Sequence, residues 1–287
     1  MSTLRDLLAG AEPVCAPLVL NPLMARLAES AGHRALYLGG GATGYAKVVL
    51  EANLNVTDMV QAGLEIRAVC DLPLILDAAA GWGDPMHMHR TIGMAEAAGF
   101  AAIEIEDQLL PKRAHHHVGI EHMVPAELMA HKVREALAAR RGDMLIIART
   151  NGVRASSMDD ALRRAEAYRA AGADVVLISP RTADEARHIG ERLAPPLMHL
   201  YGAGAQATSG MAPRELFALG FRILVDAVTP LFVAYEAMAA YYRALAPGFA
   251  VPGRTAASWK GVEEDLHRTI GLARLLAIEK ATVEREP

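Results

Sequence analysis

Residues 74–119, which read LILDAAAGWGDPMHMHRTIGMAEAAGFAAIEIEDQLLPKRAHHHVG, contain the pattern that decides the predicted fold. An apolar run over 74–76 ends on Asp77, a helical pattern follows two chain-breaking glycines, and a second apolar run over 101–105 ends on Glu106. Each of two consecutive strands therefore delivers a carboxylate at its C-terminal end. The chemistry of parallel β/α folds occurs at that end, and oxygen ligands that meet there suit Mg²⁺ or Mn²⁺.

Eight apolar runs, each followed by a helical pattern, extend along the chain. Apolar and polar residues do not alternate within these runs, which is typical of strands buried on both faces. We predict strands at 17–20, 35–38, 74–76, 101–105, 145–148, 175–178, 197–200 and 223–225. Eight β/α units predict an α/β fold of the (β/α)₈ TIM-barrel type, with a doubly wound sheet as the alternative. Extra helices are expected at both ends, over residues 3–11 and in a charged tail after the eighth unit.

Length, composition and charge narrow the functional class. The chain has 287 residues, 52% of them hydrophobic, which suits one barrel-sized domain with a large core. A net charge of −4 with scattered lysines and arginines predicts no nucleic-acid partner and no attraction to a membrane surface. No apolar run reaches membrane-spanning length, and we expect no signal peptide. Cys15 and Cys70 belong to no motif, which favours reduced thiols in a cytoplasmic protein.

Three motifs, taken in order, carry a resemblance to a known superfamily. They are LDAAAGWG at 76–83, IEDQ at 105–108 with PKR at 111–113, and ARTN at 148–151. Over residues 4–245 the order and spacing are similar to those of the isocitrate lyase and phosphoenolpyruvate mutase superfamily. The resemblance implies a (β/α)₈ barrel that works with Mg²⁺ and assembles as a homotetramer, a dimer of dimers. Neighbouring subunits in that superfamily exchange the last barrel helix.

The domain assignment follows from the eight units and from the tail. We assign residues 1–255 to a (β/α)₈ barrel catalytic domain. Residues 256–287 follow the eighth unit, and no ninth strand is predicted with which they could form another unit. With the implied helix exchange in mind, we assign them to a C-terminal helical extension that packs on a neighbouring subunit.

Asp77 and Glu106 are the predicted metal ligands. The resemblance places the direct magnesium contact at Asp77 and a water-mediated contact at Glu106. A second acid, expected two residues after Asp77, is replaced by Ala79, and the acid of the loop after strand 2 aligns with Ala52 rather than with Glu51. Because outer groups orient the ligands of a metal, we expect a weakly bound or water-rich Mg²⁺ (or Mn²⁺). The alternative role for Asp77 is a helix cap.

Backbone and side-chain groups at the strand ends are candidates for holding a small carboxylic acid substrate. Backbone N–H groups of Gly39, Gly40 and Gly41 can bind carboxylate oxygens, and the resemblance places the substrate's carboxylate there. A glycine triplet is also an ordinary turn. Arg149 suits bidentate binding of a carboxylate, with a structural ion pair as the alternative. The remaining predicted substrate-binding residues are Tyr37, Arg113, Asn151 and Tyr201.

The loop after strand 4 contains the most informative departure from the superfamily. Lyases of the superfamily carry K-R-C-G-H, whose cysteine acts as general acid or base, and this chain has Lys112, Arg113, Ala114, His115 and His116. The thiol is absent, and the imidazole of His115 or His116, which titrates near neutral pH, could take its role. The alternatives are a solvated basic turn and a transition-metal site formed by the histidines of the loop.

Other polar residues lie near the predicted strand ends. Glu104 lies deeper than Glu106 on the same face and needs a partner, such as Arg149 or a lysine. Asp107 is expected to point away. Ser179 stands where citrate-type lyases of the superfamily carry a glutamate that binds an extra carboxylate, which argues against a tricarboxylate substrate.

We therefore predict an enzyme, a Mg²⁺-dependent carbon–carbon lyase that cleaves or decarboxylates a small 2-hydroxy or 2-oxo di-acid through an enolate. Its predicted catalytic residues are Arg149, His116, Lys112 and Glu106. Two alternatives stay open. One is phosphoenolpyruvate mutase or phosphonopyruvate hydrolase chemistry at a P–C bond, and the other is a barrel that binds 2-oxo acids without turnover.

Overall fold

The computed structural model describes residues 2–202, 210–245 and 253–284. Eight strands within them form one parallel sheet, namely β1 (Val14–Pro17), β2 (Leu36–Leu38), β3 (Leu74–Asp77), β4 (Ala102–Glu106), β5 (Leu145–Arg149), β6 (Val175–Leu177), β7 (Leu197–Leu200) and β8 (Phe221–Asp226). The order in the sheet is β1-β8-β7-β6-β5-β4-β3-β2, and a parallel bridge between Leu18 and Tyr37 joins its two ends. The sheet is thereby closed, and the predicted (β/α)₈ barrel is confirmed.

Helices lie between the strands and at both ends of the chain. The described α-helices are α1 (Leu4–Leu8), α2 (Pro22–Ser30), α3 (Gly40–Ala46), α4 (Val56–Arg67), α5 (Met88–Ala97), α6 (Ala126–Ala139), α7 (Gly152–Ala155), α8 (Met158–Ala170), α9 (Ala183–Arg192), α10 (Pro213–Ala218), α11 (Thr229–Leu245), α12 (Ala256–Thr269) and α13 (Leu272–Thr282). Short 3₁₀ helices lie at Glu51–Asn53, Pro85–His87 and Ala114–Val118. Local sequence sets the helix ends. Asn55 caps α4 by accepting from Asp58 N, and Gly99 follows α5 with a φ of 78°.

Strands β2 to β7 are buried on both faces, as the sequence predicts, whereas Cys15 of β1 is exposed, and the side chains alternate between two layers. Ile75 and Ile147 belong to the cluster that fills the barrel, whereas Leu76 belongs to the cluster between the sheet and the helices. Leu4 and Leu7 of α1 join the inner cluster. The expected N-terminal helix therefore packs on the barrel interior.

The register of the central strands places the functional candidates at one end of the barrel. Asp77 pairs with Glu104, and Glu106 pairs with Arg149, across neighbouring parallel strands. Glu104 and Glu106 are two residues apart, so their side chains point to the same face of β4. The residues at the ends of β3, β4 and β5 consequently meet at the C-terminal mouth of the barrel.

The first strand differs from the prediction. β1 begins at Val14, three residues before the predicted range of 17–20. The apolar run that suggested the strand leads instead into α2, which Asn21 caps and Pro22 begins. The other seven predicted strands overlap the observed ones, and their ends differ by at most two residues.

The chain forms two compact units, Met1–Leu231 with the barrel and Phe232–Pro287 with most of α11 and with α12 and α13. The predicted functional boundary between residues 255 and 256 stays a prediction. Large apolar side chains are exposed in the second unit, among them Tyr235, Tyr242 and Ile270, which are 67%, 66% and 58% exposed. No helix in the described part of the chain is both long and apolar enough to span a membrane.

Candidate active site

Four carboxylates converge at the C-terminal end of the barrel. Asp77 ends β3, Glu104 and Glu106 belong to β4, and Glu51 begins the 3₁₀ helix in the loop after β2. Each of these residues is at most 8% exposed. Since burial disfavours an isolated charge, every one of them needs a hydrogen-bonding or oppositely charged partner.

Both oxygens of Asp77 accept backbone hydrogen bonds. Oδ2 lies 3.0 Å from Gly40 N at the start of α3, and Oδ1 lies 3.0 Å from Ala79 N. Ala79 has a φ of 47°, a left-handed conformation that costs a residue with a Cβ atom roughly 1 kcal/mol. The loop after β3 thus holds Asp77 at some cost in backbone energy. The carboxylate that the Gly40 N–H binds in this structure is the protein's own.

Glu51 is a site residue that sequence reasoning set aside in favour of Ala52. A Cβ atom on Gly40 would lie 2.7 Å from Glu51 Oε1, so the close approach of this carboxylate requires glycine there. Oε1 is buried and has no hydrogen-bond partner within the described ranges. The signal in the sequence was the glycine triplet itself, which indicates that another group approaches the backbone.

Lys112 links two of the carboxylates. Its Nζ lies 2.5 Å from Glu51 Oε2 and 2.7 Å from Glu106 Oε1. Its side chain is 4% exposed, so the solvated-turn alternative is wrong for this residue. The ammonium has three protons to donate, and it directs two hydrogen bonds at buried carboxylates whose mutual repulsion it offsets.

Arg149 binds the other side of the cluster. Its Nη1 donates to Glu104 Oε1 at 2.9 Å, and its Nε lies 3.2 Å from Asn151 Oδ1 and 3.4 Å from Glu106 Oε2. Asn151 Nδ2 donates to Glu106 Oε2 at 2.9 Å, and Tyr37 Oη donates to Glu104 Oε2 at 2.9 Å. Arg149 is therefore the expected partner of the deep glutamate, and Tyr37 points into the barrel.

The unequal charge at the mouth shifts the pKa values of the glutamates. Burial, followed by the charge of Asp77, raises the pKa of Glu51 to about 8 and the pKa of Glu104 to about 7. Burial also disfavours the ionised form of Glu106, but the adjacent lysine and arginine outweigh it and hold the pKa of that carboxyl well below its usual range. Glu106 is consequently the firmly ionised member of the three.

The donor set fits a divalent cation. Among the residues that the structure describes, the four carboxylates face only the cations of Lys112 and Arg149, so two formal negative charges lack a counter-charge when all groups are ionised. Within the described ranges, there is no group of three or more His, Cys, Asp or Glu side chains that could hold a metal ion. Mg²⁺ nevertheless suits the mouth, because it keeps several waters and needs only one or two carboxylates. Asp77 and the unpartnered oxygen of Glu51 are the two carboxylate groups that would hold it, with Glu106 beside them.

The histidine loop contributes two half-buried imidazoles, those of His116 and His117. His116 Nδ1 lies 2.8 Å from Glu121 Oε2, and His117 Nδ1 lies 3.0 Å from Tyr45 Oη. Arg113, a predicted substrate-binding residue, is exposed. Among the described residues, the loop histidines form no group suited to a metal ion. The structure therefore favours a role for His116 other than transition-metal binding.

Three further strand-end residues have structural partners. Asp107 points away from the mouth, as expected, and accepts from Tyr168 Oη at 2.8 Å. Tyr201 Oη donates to Met211 O at 3.1 Å, so its hydroxyl is not directed at the carboxylates, and its role in substrate binding stays a prediction. Asp226 accepts from backbone N–H groups at the start of α11, as a helix cap does.

Two cavities bear on the location of the site. One of about 30 Å³ lies at the C-terminal mouth, where Arg149, Asn151 and Ser179 contribute to its lining. Another, of about 730 Å³, lies near the N-terminal ends of the strands, where Arg5 and Arg141 contribute to its lining. By volume alone, the second cavity would be the better candidate for the active site. Arg149 lines the first cavity and pairs with the buried Glu104 and Glu106 at the end where barrels of this kind carry out chemistry, and we place the active site there.

A (β/α)₈ barrel whose C-terminal mouth holds carboxylates, a lysine and an arginine has the construction of an enzyme for a small anionic substrate. The family model described as phosphoenolpyruvate phosphomutase matches residues 4–246. The chain belongs to this family, and the predicted membership of the isocitrate lyase and phosphoenolpyruvate mutase superfamily is confirmed.

Three curated relatives have names that describe lyase or decarboxylase activities. The chain is 37% identical to a 2-methylisocitrate lyase of Aeropyrum pernix over 197 residues, which cover 68% of the chain and 63% of that enzyme. It is 32% identical to a 2,3-dimethylmalate lyase of Eubacterium barkeri, with 84% of both chains covered. It is 35% identical to an oxaloacetate decarboxylase of Chromohalobacter salexigens, with 81% and 80% covered. The prediction of an enzyme is confirmed at the level of the superfamily.

Solved structures share the whole fold. The chain matches the phosphoenolpyruvate phosphomutase of Streptomyces platensis subsp. rosaceus with a TM-score of 0.87 and 26% identity, over 98% of both chains. It matches a phosphonopyruvate hydrolase, solved with oxalate and Mg²⁺, with a TM-score of 0.83 and 26% identity, also over 98% of both chains. Lyases and enzymes that act on P–C bonds are therefore both found among the relatives of this chain.

The raised pKa of Glu51 predicts how the stability of the metal-free protein depends on pH. A carboxyl group that holds its proton more tightly in the folded than in the unfolded state destabilises the fold as the pH rises between the two pKa values, here from 4.5 to about 8. We expect the Glu51→Gln variant to reduce the loss of unfolding free energy between pH 5 and pH 8.5 by about 4 kcal/mol, since each pH unit below the folded-state pKa of about 8 is worth about 1.4 kcal/mol. Urea denaturation in EDTA measures this change.

The matched control is Glu191→Gln, which neutralises an exposed glutamate. Its stability should follow the wild-type pH dependence. If Glu51→Gln also follows the wild-type curve, Glu51 does not carry the excess charge of the cluster.

Proposed function

We propose that this protein is a Mg²⁺-dependent carbon–carbon lyase that cleaves or decarboxylates a small 2-hydroxy or 2-oxo di-acid through an enolate. The observation that carries the proposal is the buried cluster of four carboxylates, one lysine and one arginine at the mouth of the barrel. The names of the lyase and decarboxylase relatives support this reaction class. Ser179 stands where citrate-type lyases of the superfamily carry a glutamate that binds an extra carboxylate. Its presence supports a di-acid substrate.

The substrate is held by groups that can pair with its carboxylate and its developing oxyanion. Arg149 ends β5, and its guanidinium pairs with Glu104 beside the mouth. Gly39 and Gly41 follow β2 with backbone N–H groups that can bind a carboxylate, whereas the Gly40 N–H is bound to Asp77. Asn151 and Tyr37 orient the glutamates that surround the arginine. When bound near Asp77, Mg²⁺ would supply a positive charge that stabilises the enolate oxygen.

Lys112 acts by charge rather than by proton transfer. Burial tends to lower the pKa of Lys112, but Glu106 and Glu51 outweigh it and raise that pKa above its usual value. The ammonium therefore keeps its proton and holds the loop closed over two carboxylates. With Ala114 at the cysteine position, His116 is the group we propose as the proton donor, since imidazole exchanges protons readily near neutral pH.

Chemistry at a P–C bond is the second candidate function. The matching family model and the fold-level likeness to a phosphonopyruvate hydrolase support it. The two candidates are separated by a substrate panel with Mg²⁺. We expect pyruvate or another 2-oxo acid to appear from oxaloacetate or from 2,3-dimethylmalate, as followed by a coupled dehydrogenase. Turnover of phosphonopyruvate alone, followed by ³¹P NMR, would instead establish the second candidate.

Asp77→Asn tests whether the strand-end acid serves the metal. The amide keeps the shape and one acceptor oxygen but loses the charge that a divalent cation needs, so turnover should fall by at least about 100-fold. Steady-state rates across a Mg²⁺ titration measure the effect, and circular dichroism checks the fold. Asp71→Asn, which changes an exposed acid just before the same strand, serves as the control. Full activity of Asp77→Asn at saturating Mg²⁺ would remove Asp77 from the mechanism.

His116→Gln tests the proton donor. Loss of the imidazole should slow turnover by roughly 100-fold, the lower range for general acid–base assistance, whereas His117→Gln should change it little. Activity should also resist iodoacetamide, because Cys15 lies on β1 and Cys70 precedes β3, away from the loop. Turnover of the three proteins is measured with and without the reagent. Inactivation by iodoacetamide, or a His116→Gln variant with the wild-type rate, would contradict the assignment.

Assembly and location are proposed as well. We propose a homotetramer, supported by the exposed aromatic and aliphatic side chains of α11, α12 and α13, which would otherwise leave a large apolar surface in water. The two free cysteines support a reducing, cytoplasmic location.

Light scattering coupled to gel filtration tests the assembly. The wild-type protein should have the mass of four chains. A Tyr235→Glu/Tyr242→Glu double variant should dissociate, because both side chains are about two-thirds exposed in the single chain and the proposed assembly buries them between copies. Glu264→Lys, on the exposed surface of α12, is the charge-changing control. A wild-type mass of one chain would contradict the proposal.

A further inference from the structure

A buried carboxylate lies directly behind the proposed proton donor. Glu121 Oε2 lies 2.8 Å from His116 Nδ1, and the Glu121 side chain has no exposed area, whereas that of His116 is 18% exposed. A glutamate in a surface loop normally points to water. This one turns inward and contacts a histidine of the loop after β4.

A third polar group, the side-chain amide of Gln108, indicates which nitrogen of His116 donates. Gln108 Nε2 contacts both Glu121 Oε2 and His116 Nδ1. An unprotonated His116 Nδ1 would place its lone pair against the ionised Glu121 oxygen at 2.8 Å, so the consistent arrangement has the Gln108 amide and His116 Nδ1–H both donating to the glutamate oxygen. The imidazole is thereby held as the Nδ1–H form, and its Nε2 is the nitrogen left for proton exchange.

The backbone of the loop keeps these three residues in register. Leu109 N donates to His122 O at 2.7 Å, and Gln108 forms an antiparallel bridge with Met123. Gly119 then adopts a φ of 81°, which reverses the chain so that the glutamate returns beneath the histidine. The antiparallel pairing of Gln108 with Met123 and the turn at Gly119 therefore both maintain the contact between His116 and Glu121.

The charge around Glu121 keeps it ionised. Burial tends to raise the pKa of Glu121, but the hydrogen bond from His116 and the nearby guanidinium groups of Arg154 and Arg149 outweigh it and lower that pKa. Arg154 Nη1 lies 3.5 Å from Oε1, at the edge of hydrogen-bonding range. An ionised carboxylate at this place stabilises a positively charged imidazole and orients it.

We propose that Glu121 is a positioning residue that holds His116 as the Nδ1–H form and so directs its Nε2 toward the reacting substrate. This inference rests on the proposed lyase function, in which His116 protonates the enolate.

The proton balance is simple. The imidazolium gives its Nε2 proton to the enolate carbon, whose electron pair forms the new C–H bond, and neutral imidazole remains with Nδ1–H bound to Glu121. The carboxylate stays ionised throughout, and solvent returns the proton to Nε2.

The test uses Glu121→Gln and Glu121→Asp in the full-length protein, with Glu127→Gln, at an exposed position on α6, as the control. Two-dimensional ¹H–¹⁵N NMR of the imidazole nitrogens reports the tautomer of His116 without substrate, and its signal is assigned by loss in His116→Gln. We expect the Nδ1–H form in the wild-type and control proteins and a majority of the Nε2–H form in Glu121→Gln. Glu121→Asp, which keeps the charge but shortens the side chain, should give a mixture.

Kinetics provide the second readout. Glu121→Gln should lower kcat by at least about tenfold with KM within twofold, because positioning of a proton donor affects the transition state more than substrate binding. Unchanged His116 tautomer populations in both Glu121 variants would overturn the proposal, as would an unchanged kcat in Glu121→Gln alongside a slow His116→Gln. If His116→Gln itself retains full turnover, the proton-donor assignment fails, and the NMR result alone decides whether Glu121 sets the tautomer.

Discussion

The burial of more negative than positive charge at one end of the barrel is the constraint on which the rest of the site depends. Four carboxylates, each at most 8% exposed, share two cations. Backbone N–H groups bind Asp77, Lys112 bridges two of the glutamates, and Arg149 pairs with the third. A divalent cation bound there would offset the excess negative charge of the cluster. Burial, followed by the charge of Asp77, explains why Glu51 and Glu104 hold their protons unusually tightly.

The barrel produces this cluster through strand register rather than through any single motif. Parallel neighbours end at the same level, so Asp77, Glu106 and Arg149 come from three consecutive strands and still meet. The loops add what the strands cannot supply. Glu51 arrives from the loop after β2 and Lys112 from the loop after β4, and their 2.5 Å contact ties the two loops together over the mouth.

The parts of the site that sequence reasoning anticipated are those that strand geometry controls. The alternation of β4 indicates that Glu104 and Glu106 share a face and that Asp107 does not, and the structure agrees. The glutamate at position 51 was missed because the course of a long loop is not set by a repeating hydrogen-bond pattern. The start of β1 was misplaced for a related reason, since an apolar run continues past the strand into the turn before Asn21.

Side-chain partners within loops were also beyond the sequence. Nothing in the spacing of His116 and Glu121 indicates that a turn at Gly119 brings them into contact, or that Lys112 is buried while its neighbour Arg113 is exposed. These details depend on tertiary packing, and they decide which loop residues take part in the chemistry. Family resemblance located the loop, whereas the structure distinguishes its buried members from its solvated ones.

The central claim is that the carboxylate cluster is a divalent-cation and 2-oxo acid site. Its most direct test is an anomalous difference map from a crystal soaked with Mn²⁺ and oxalate, a planar stand-in for the enolate of pyruvate. The account predicts one manganese peak per chain within bonding distance of an Asp77 oxygen, with oxalate on the metal and beside Arg149. A map with no peak at Asp77, or with manganese only at the histidines of the loop, would contradict it.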